Sequence, residues 1–492
     1  MRLVQADALV VGGGLAGLSA VMHLPPEWDV VVVDKGSERR TGSSPLAQGG
    51  MAAPIGPGDS PELHAEDTIR VGAGLTVREA VETLTSAAAG EVEELVRLGC
   101  RFDRRPDGSL HLNREGGQTV ARSVHAADAT GRELMRVVLG LARTRARRLA
   151  GAAVRLVVDD GACIGAVVAA DDGVVGVSAP AVLLATGGCG ALYEATTNTP
   201  ASTGDGVALA YLAGATVADV EFVQFHPTTL AAGDGRRVLL TEALRGDGAL
   251  VVDARGERFL FDVHPDGELA PRDVVARAVT DRGEAFLDAR PIGPEELERR
   301  FPNVMRAVGE CGFDLAAEPV PISPAAHYFL GGVATDLDGR SSLPGLYAAG
   351  ECAATGVHGA NRMAGNSLTE AVVFGRRAAR AMRSGPGVRR SVASVEHLAG
   401  EDDEDAWDEL RRAMTSGAGL RRSAASLRDA RAVAEHIAGA ARGAPLHLAA
   451  TTASLICRAA GERAESRGVH FRSDHPAPSP SWDGRHIELG LA

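Results

Sequence analysis

The 492-residue chain has few cysteines, no long apolar run and no surplus of positive charge. Its six cysteines (Cys100, Cys163, Cys189, Cys311, Cys352 and Cys457) are scattered, with no C-x-x-C pair. That argues against a structural zinc site, an iron-sulfur cluster and a disulfide framework, and it fits a reducing cytoplasm. No apolar stretch approaches the ~20 residues that a membrane-spanning helix needs. A formal net charge of -13 lacks the concentrated Lys and Arg that bind phosphate backbones, so nucleic acid is not an expected partner. No internal repeat is visible. Core material, by contrast, is plentiful: apolar residues make up 45% and charged residues 23%, close to the soluble globular average, and the length implies two or three domains.

The first strong signal lies near the N-terminus. Ala8 to Val11 reads as a strand, Gly12, Gly14 and Gly17 form G-x-G-x-x-G, LSAVMHL has helical spacing, and the apolar run Val30 to Val33 ends on Asp34. Each part of a dinucleotide fingerprint is in its required context: glycines for a tight turn, a helix N-terminus for the pyrophosphate, an acid for the ribose hydroxyls. The same residues could pass for a signal peptide starting at Arg2, but Asp7 and the triple glycine interrupt the apolar run, and a βα unit explains them better. The following KGSERRTGSSPLAQGGMAAP is irregular, either a surface loop or a segment placed to wrap the rest of the dinucleotide.

Further along, Glu62 to Gly99 reads as helices, with Glu79 to Leu98 the clearest amphipathic stretch, and Arg132 to Arg148 is helical in spacing. Between them lies a polar loop in which Glu115 precedes two glycines, a solvated carboxylate or a functional one. Val154 to Val158 and Ile164 to Ala169 are strand-like. VLLATGG, 182–188, reads as a buried parallel strand that stops at glycines, as ligand-side strand ends do, and Asp205 opens another helix. From Val220 to about His327 the texture changes to short strands and loops carrying Gln224, His226, Thr228, Thr229, Thr241, Glu242, Arg245 and Arg272. Singly these are ordinary turn, core or surface residues; together in one insertion they suggest a catalytic cleft between domains. The stretch HGANRMAGNSLTE, His358 to Glu370, sets Arg362 between a strand ending near Ala348 and a helix over Ser367 to Arg376. It is either a tight turn or a meeting point of cofactor and substrate, where an Arg can fork onto a carboxylate. Glu401 to Glu465 reads as helical, EDDED as its solvated start, and the proline-bearing tail from Ser473 as extended over the surface.

With these motifs in order, the chain resembles the succinate dehydrogenase and fumarate reductase flavoprotein family. GGGLAGLSA, SSPLAQGG, REGG, HAADATGRE, LATGG, TGDG, QFHPT, TEALRGDGA, APRDVVARA, HYFLGGVATD, LYAAGE and GANRMAGNSL all fall in family order. The resemblance implies an α/β fold: a Rossmann-like FAD-binding domain over 1–219 and 329–395, an inserted α+β capping domain over 220–328 and a C-terminal helical domain over 396–492. Within the family, the branch that oxidises L-aspartate fits best. Where the membrane-complex enzymes carry a histidine bonded to the flavin, this chain has Ser43, so FAD is expected to bind noncovalently. Glu115 stands where the dicarboxylate enzymes have an apolar or neutral residue; an α-ammonium in a partly buried site needs such an anion, whereas dianionic succinate is repelled by it. The chain also lacks cluster-ligating cysteines and is short for the complex-bound enzymes. Gln118 points the other way, matching the dicarboxylate enzymes rather than the G-G-H of aspartate oxidases.

The resemblance assigns Gly12, Gly14, Gly17, Asp34, Lys35, Ser43, Gln48, Gly49, Gly50, Asp205, Glu351, Ser367 and Leu368 to FAD. It assigns Glu115, Gln224, His226, Thr241, His327 and Arg362 to the substrate, and Arg272 to proton shuttling in a relay with Glu242 and Arg245. No metal is expected. The implied reaction is hydride transfer from L-aspartate to flavin N5, giving iminoaspartate as the first step of quinolinate and NAD synthesis, with oxygen or fumarate reoxidising the flavin. The alternatives are a soluble fumarate-reducing or succinate-oxidising flavoenzyme and a noncatalytic FAD-binding partner protein. The C-terminal helical domain could serve a partner such as the quinolinate-forming enzyme.

Overall fold

A computed structural model describes residues 2–35, 42–231, 237–385, 400 and 403–491. Among these, an eight-stranded sheet forms the base. Five of its strands run parallel in the spatial order Arg147–Asp159, Val30–Asp34, Ala8–Val11, Val182–Leu184, Leu346–Ala348. Ala8–Val11, Val30–Asp34 and Val182–Leu184 are buried along their whole length, as sheet interiors covered on both faces require. The chain steps from Ala8–Val11 to Val30–Asp34 on one side and later adds Val182–Leu184 on the other. The order therefore reverses at Ala8–Val11, and a ligand crevice is expected beyond its carboxyl end. The helix Leu15–His23 starts there, with Gly14 as its N-cap.

Residues 223–329 supply all five strands of a second, antiparallel sheet, in the order Arg237–Leu239, Val223–Ala231, Val320–Phe329, Ala285–Asp288, Leu250–Asp253. It packs with helices Arg272–Arg282 and Pro302–Glu310 around its own apolar cluster, which includes Leu240, Val275, Leu287 and Val304. Helices Glu404–Gly417, Ala424–Ala440 and Ala444–Glu462 share a further core with Tyr193, Phe225 and Phe329. Among the described residues, no helix is long and apolar enough to cross a membrane.

Some expectations needed revision. The helix expected over 132–148 is Thr130–Ala142, and Arg147 already belongs to a strand; Ala146 ends the helical spacing, and parallel pairing with Val31 recruits the residues that follow. The two short strands expected next form one long hairpin, Arg147–Asp159 with Ala162–Ala170, extended by Gly173–Ser178. The tail is not merely draped: Glu488–Leu489 pairs with Val217–Ala218, and Leu489 is buried. The expected boundary near 395, the residues Glu401 and Asp402 of the acidic run, and Gly36 to Thr41 of the wrapping segment lie outside the described residues.

A buried ionic knot ties the C-terminal helices to the second sheet. Arg463 and Glu221 are both fully buried; Arg463 Nε donates to Glu221 Oε1 at 2.6 Å and Nη1 to Glu465 Oε1 at 3.1 Å. The Arg463 guanidinium lies between the rings of Phe222 and Trp482, 5.0 and 4.9 Å from their centroids. Removing one member strands the others' charge out of water. Arg463→Leu is therefore expected to destabilise the protein by about 3–5 kcal/mol, read as a drop in thermal midpoint, and an unchanged midpoint would contradict the role given to this pair.

Candidate active site

The crevice at the strand reversal opens into a long cavity whose two ends differ in chemistry. At the sheet end it is lined by Gly12, Gly13, Gly14, Asp34, Lys35 and Asp205. Gly12 has φ +117°, and a Cβ there would fall 2.1 Å from the Ala185 carbonyl oxygen, so only glycine fits where the turn crosses Val182–Leu184. Lys35, the only lysine in the chain, pairs with the buried Asp205 at 2.8 Å. Thr186 Oγ1, on the same wall, is buried with no nitrogen or oxygen hydrogen-bond partner among the described residues. A helix N-terminus with glycine at its cap, where only Leu15 N–H finds a side chain (Ser44 Oγ, 3.0 Å), a backbone cradle and an unpaired hydroxyl match a ligand carrying a pyrophosphate and polar ring edges. Glu351 sits farther along, its Oε1 accepting from Phe329 N–H at 3.0 Å, and burial pushes its carboxyl up to about 7.

The other end is walled by Glu115, His226, Thr241, Arg272, His327 and Arg362. Separate chain segments bring them together. His226 lies in the strand Val223–Ala231, where Pro227 cannot donate to the ladder and the pairing with Val320–Phe329 slips between His226 and Thr229. Thr241 caps the short helix Glu242–Gly246, and Arg272 opens the helix Arg272–Arg282 directly after Pro271. Arg362 stands in the turn before Asn366–Met382, its guanidinium 4.5 Å from the Tyr328 ring centroid.

Gln224 links the two arginines from behind. Its Oε1 accepts from Arg362 Nη2 at 3.1 Å and Arg272 Nη1 at 3.3 Å, while its Nε2 donates to Asn361 Oδ1 and the Arg362 carbonyl. Arg272 Nε donates to Glu242 Oε2 at 2.5 Å, and Arg245 Nη2 lies 3.3 Å from Glu242 Oε1. Burial would raise the Glu242 carboxyl, but Arg272 and Arg245 outweigh it and hold Glu242 below the usual carboxylate range. The two histidines lose their charge instead: burial, then the Arg272 cation, pushes both His226 and His327 well down, leaving neutral imidazoles. Arg362 is lowered by burial and by Arg272 to about 10 and stays charged at neutral pH. The cavity end thus presents two cations, two neutral hydrogen-bonding rings and the Glu115 carboxylate, raised chiefly by burial and held by Gly50 N–H at 2.9 Å.

Most residues expected at the site line this cavity, but three do not. Gly17 packs the first helix onto the turn, where a Cβ would fall 2.1 Å from the Gly12 carbonyl oxygen; Gln224 and Arg245 stand one layer behind the wall. Gln118 is also absent from the wall. Its Oε1 accepts from Glu115 N–H at 3.0 Å, and its Nε2 donates to Ser123 Oγ and the Ala364 carbonyl, so it fixes the loop that carries Glu115. Gly116 is required there as well, since its Cβ would fall 2.1 Å from Glu242 Oε1. Reasoning from sequence missed Tyr328 and Thr197, whose Oγ1 is 2.8 Å from His327 Nδ1. The polar cluster TTNTP before TGDG was the available signal for Thr197; nothing singled out Tyr328.

Residues 7–368 match the family described as FAD binding domain, and 445–486 match fumarate reductase flavoprotein C-term. The chain is 46% identical over 385 residues to an L-aspartate oxidase of Synechocystis sp., covering 75% of this chain and 69% of the relative. It is 43% identical over 516 residues to an L-aspartate oxidase of Caulobacter vibrioides, covering 100% and 99%. Among solved structures, E. coli quinol fumarate reductase FrdA superposes with a TM-score of 0.90 at 30% identity, covering 100% of this chain and 95% of that one. Mycobacterium smegmatis Sdh1 gives 0.85 at 31%, covering 100% and 92%. A cavity built for a dinucleotide and a dicarboxylate agrees with these likenesses, and the chain belongs to the FAD-binding flavoproteins of the fumarate reductase and succinate dehydrogenase type, in their L-aspartate oxidase family.

Proposed function

We propose that the chain oxidises L-aspartate to iminoaspartate using FAD, the first step of quinolinate and NAD synthesis. The observation that carries this reading is the Glu115 carboxylate on the wall that also holds Arg272 and Arg362. Two buried guanidiniums suit two carboxylates, and a buried carboxylate facing them suits a ligand that also carries a cation. Succinate offers no such cation. Bound FAD supplies the two-electron acceptor for the substrate's Cα hydride.

In this reading Gly12, Gly14, Lys35, Ser43, Gln48 and Asp205 hold FAD along the sheet end, and Glu351 serves its polar chain. Arg362, Arg272, His226, Thr241 and His327 hold the substrate carboxylates, and Glu115 accepts the α-ammonium. Fixing both ends of a small ligand sets its Cα, an orientation effect that can supply several orders of magnitude in rate. The 220–328 segment acts as a capping domain that excludes water. Oxygen or fumarate takes the electrons away. With fumarate, Arg272 gives the proton that its reduction requires and is recharged through Glu242 and Arg245; an Arg in this role depends on the closely coupled acid at 2.5 Å. A cytoplasmic location is part of the reading, supported by six free cysteines, five of them buried.

The direct test is anaerobic. L-Aspartate added to the FAD-loaded protein is expected to bleach the oxidised flavin, with oxaloacetate and ammonia appearing as iminoaspartate hydrolyses, while succinate leaves the absorbance unchanged. Bleaching by succinate alone would move the chain to the dicarboxylate branch. Glu115→Gln keeps the shape but removes the charge, and its affinity for L-aspartate is expected to fall at least about 30-fold, about 2 kcal/mol, in a titration of the flavin spectrum.

The raised Glu115 carboxyl sets a pH signature. Its charged form is what pairs with an ammonium, so L-aspartate binding should weaken as pH falls through that raised range. A dicarboxylate without an amine should bind better over the same interval, because protonation removes the repulsion. Parallel pH trends for both ligands would count against Glu115 as the ammonium partner.

A further inference from the structure

Glu115 borders a second space. Behind it lies a cavity of about 10 Å³, room for roughly one water molecule. Gln48, Gly49, Gly50, Glu115 and Thr241 line both this cavity and the substrate cavity, so the carboxylate stands between the two. The far wall holds Asn113, His125, Asp128 and Arg300. Asp128 is committed, its oxygens accepting from Asn303 Nδ2 at 2.6 Å and Val304 N–H at 2.7 Å. Arg300 is committed as well, donating to Asn113 Oδ1 at 2.7 Å and pairing with Asp247 at 2.5 Å.

His125 differs. It is 4% exposed, and its buried Nδ1 lies 3.1 Å from Asp103 Oδ2, with no other partner among the described residues. Its Nε2 is 2.8 Å from His111 Nδ1. Asp103, with a side chain 45% exposed, and the half-buried His111 both reach solvent. Glu115, the small cavity, His125 and then His111 or Asp103 thus adjoin one another in turn from the substrate cavity to the surface.

The chemistry proposed above, on which this inference rests, needs such a line. An α-ammonium has no free electron pair on nitrogen, so its Cα–H cannot leave as hydride to form C=N. One proton must first leave the nitrogen. The neutral amine then forms the C=N bond with its own electron pair as the Cα–H pair departs to FAD, giving the protonated imine. We infer that the ammonium proton passes to Glu115, through a water in the small cavity to His125, and leaves by His111 or Asp103. The charged and titratable groups around His125 are Glu115, His111, Asp103, Asp128, Arg300 and Asp247. Burial and the neighbouring His125 hold His111 below its ordinary range; Asp103 is held below its own, against burial, by His125 and the Ala127 N–H. The mouth thus releases protons readily at neutral pH.

The test compares the FAD-loaded wild type with His125→Asn and His111→Ala in anaerobic stopped-flow bleaching by L-aspartate across pH. A pH-indicator dye times proton arrival in solvent, and flavin content and thermal midpoint monitor folding. For His125→Asn the limiting bleaching rate is expected to fall at least about tenfold, with a shifted pH profile, the L-aspartate Kd unchanged and partial rescue by added imidazole. His111→Ala, nearer the surface, should lose less and be rescued more fully, which keeps the idea testable if the buried variant folds poorly. Wild-type rates and pH profiles in both variants would overturn the outlet while leaving the aspartate reading intact, as would losses confined to Kd with no imidazole rescue. If L-aspartate fails to bleach the wild type, the aspartate reading falls and the outlet with it.

Discussion

Two guanidiniums are held out of water a few ångströms apart, and the rest of the site is arranged around keeping them there. Arg272 and Arg362 are both nearly buried, and Arg272 disfavours the charge of Arg362. Glu242 offsets Arg272 directly, Gln224 presents one oxygen to both, and Tyr328 lends its ring face to Arg362. An arrangement so polar is stable only if every partner is fixed. The fixing is done by elements distant in sequence: the strand Val223–Ala231, the start of Arg272–Arg282 and the turn before Asn366–Met382. Two buried cations at one end of the cavity are the consequence.

The same constraint explains why the neighbouring histidines are not further cations. A third and fourth positive charge beside Arg272 would be costly in a desolvated pocket, and both imidazoles are driven neutral. They contribute direction rather than charge, and Thr197 fixes the ring of His327. Glu115 lines the same end of the cavity, where the Gly50 N–H and a loop locked by Gln118 hold it with no salt bridge to a lysine or arginine among the described residues. A carboxylate so placed is selective by its need for a partner. In the proposed reading it accepts a cation brought by the ligand and opposes a ligand that brings only anions.

The cofactor end follows a different rule, shape before charge. The strand reversal at Ala8–Val11 makes the crevice, and Gly12 lets the turn pass under the Ala185 carbonyl. The single lysine is tied to Asp205 rather than left to roam, so the positive charge there has a fixed address.

Much of this was legible in the chain. The βαβ fingerprint, the buried strands that flank it, the insertion with its polar cluster and the helical C-terminal region follow from local apolar periodicity and from glycines at turns, both of which are properties of short segments. The candidate residues were legible through motifs whose residue types suit carboxylates and a dinucleotide. Other features depended on distant partners, and local pattern is blind to those. Arg147 joins a strand because Val31 lies beside it; Glu488–Leu489 is a strand because Val217–Ala218 has a free edge. Gln224 and Arg245 carry site-like residue types yet stand behind the wall, and Gln118 turns inward to hold a loop. The sequence by itself determined which groups were available. Which of them face the ligand, which stay charged and which hold others in place was decided by tertiary packing, because burial and neighbouring charge exist only after distant segments meet.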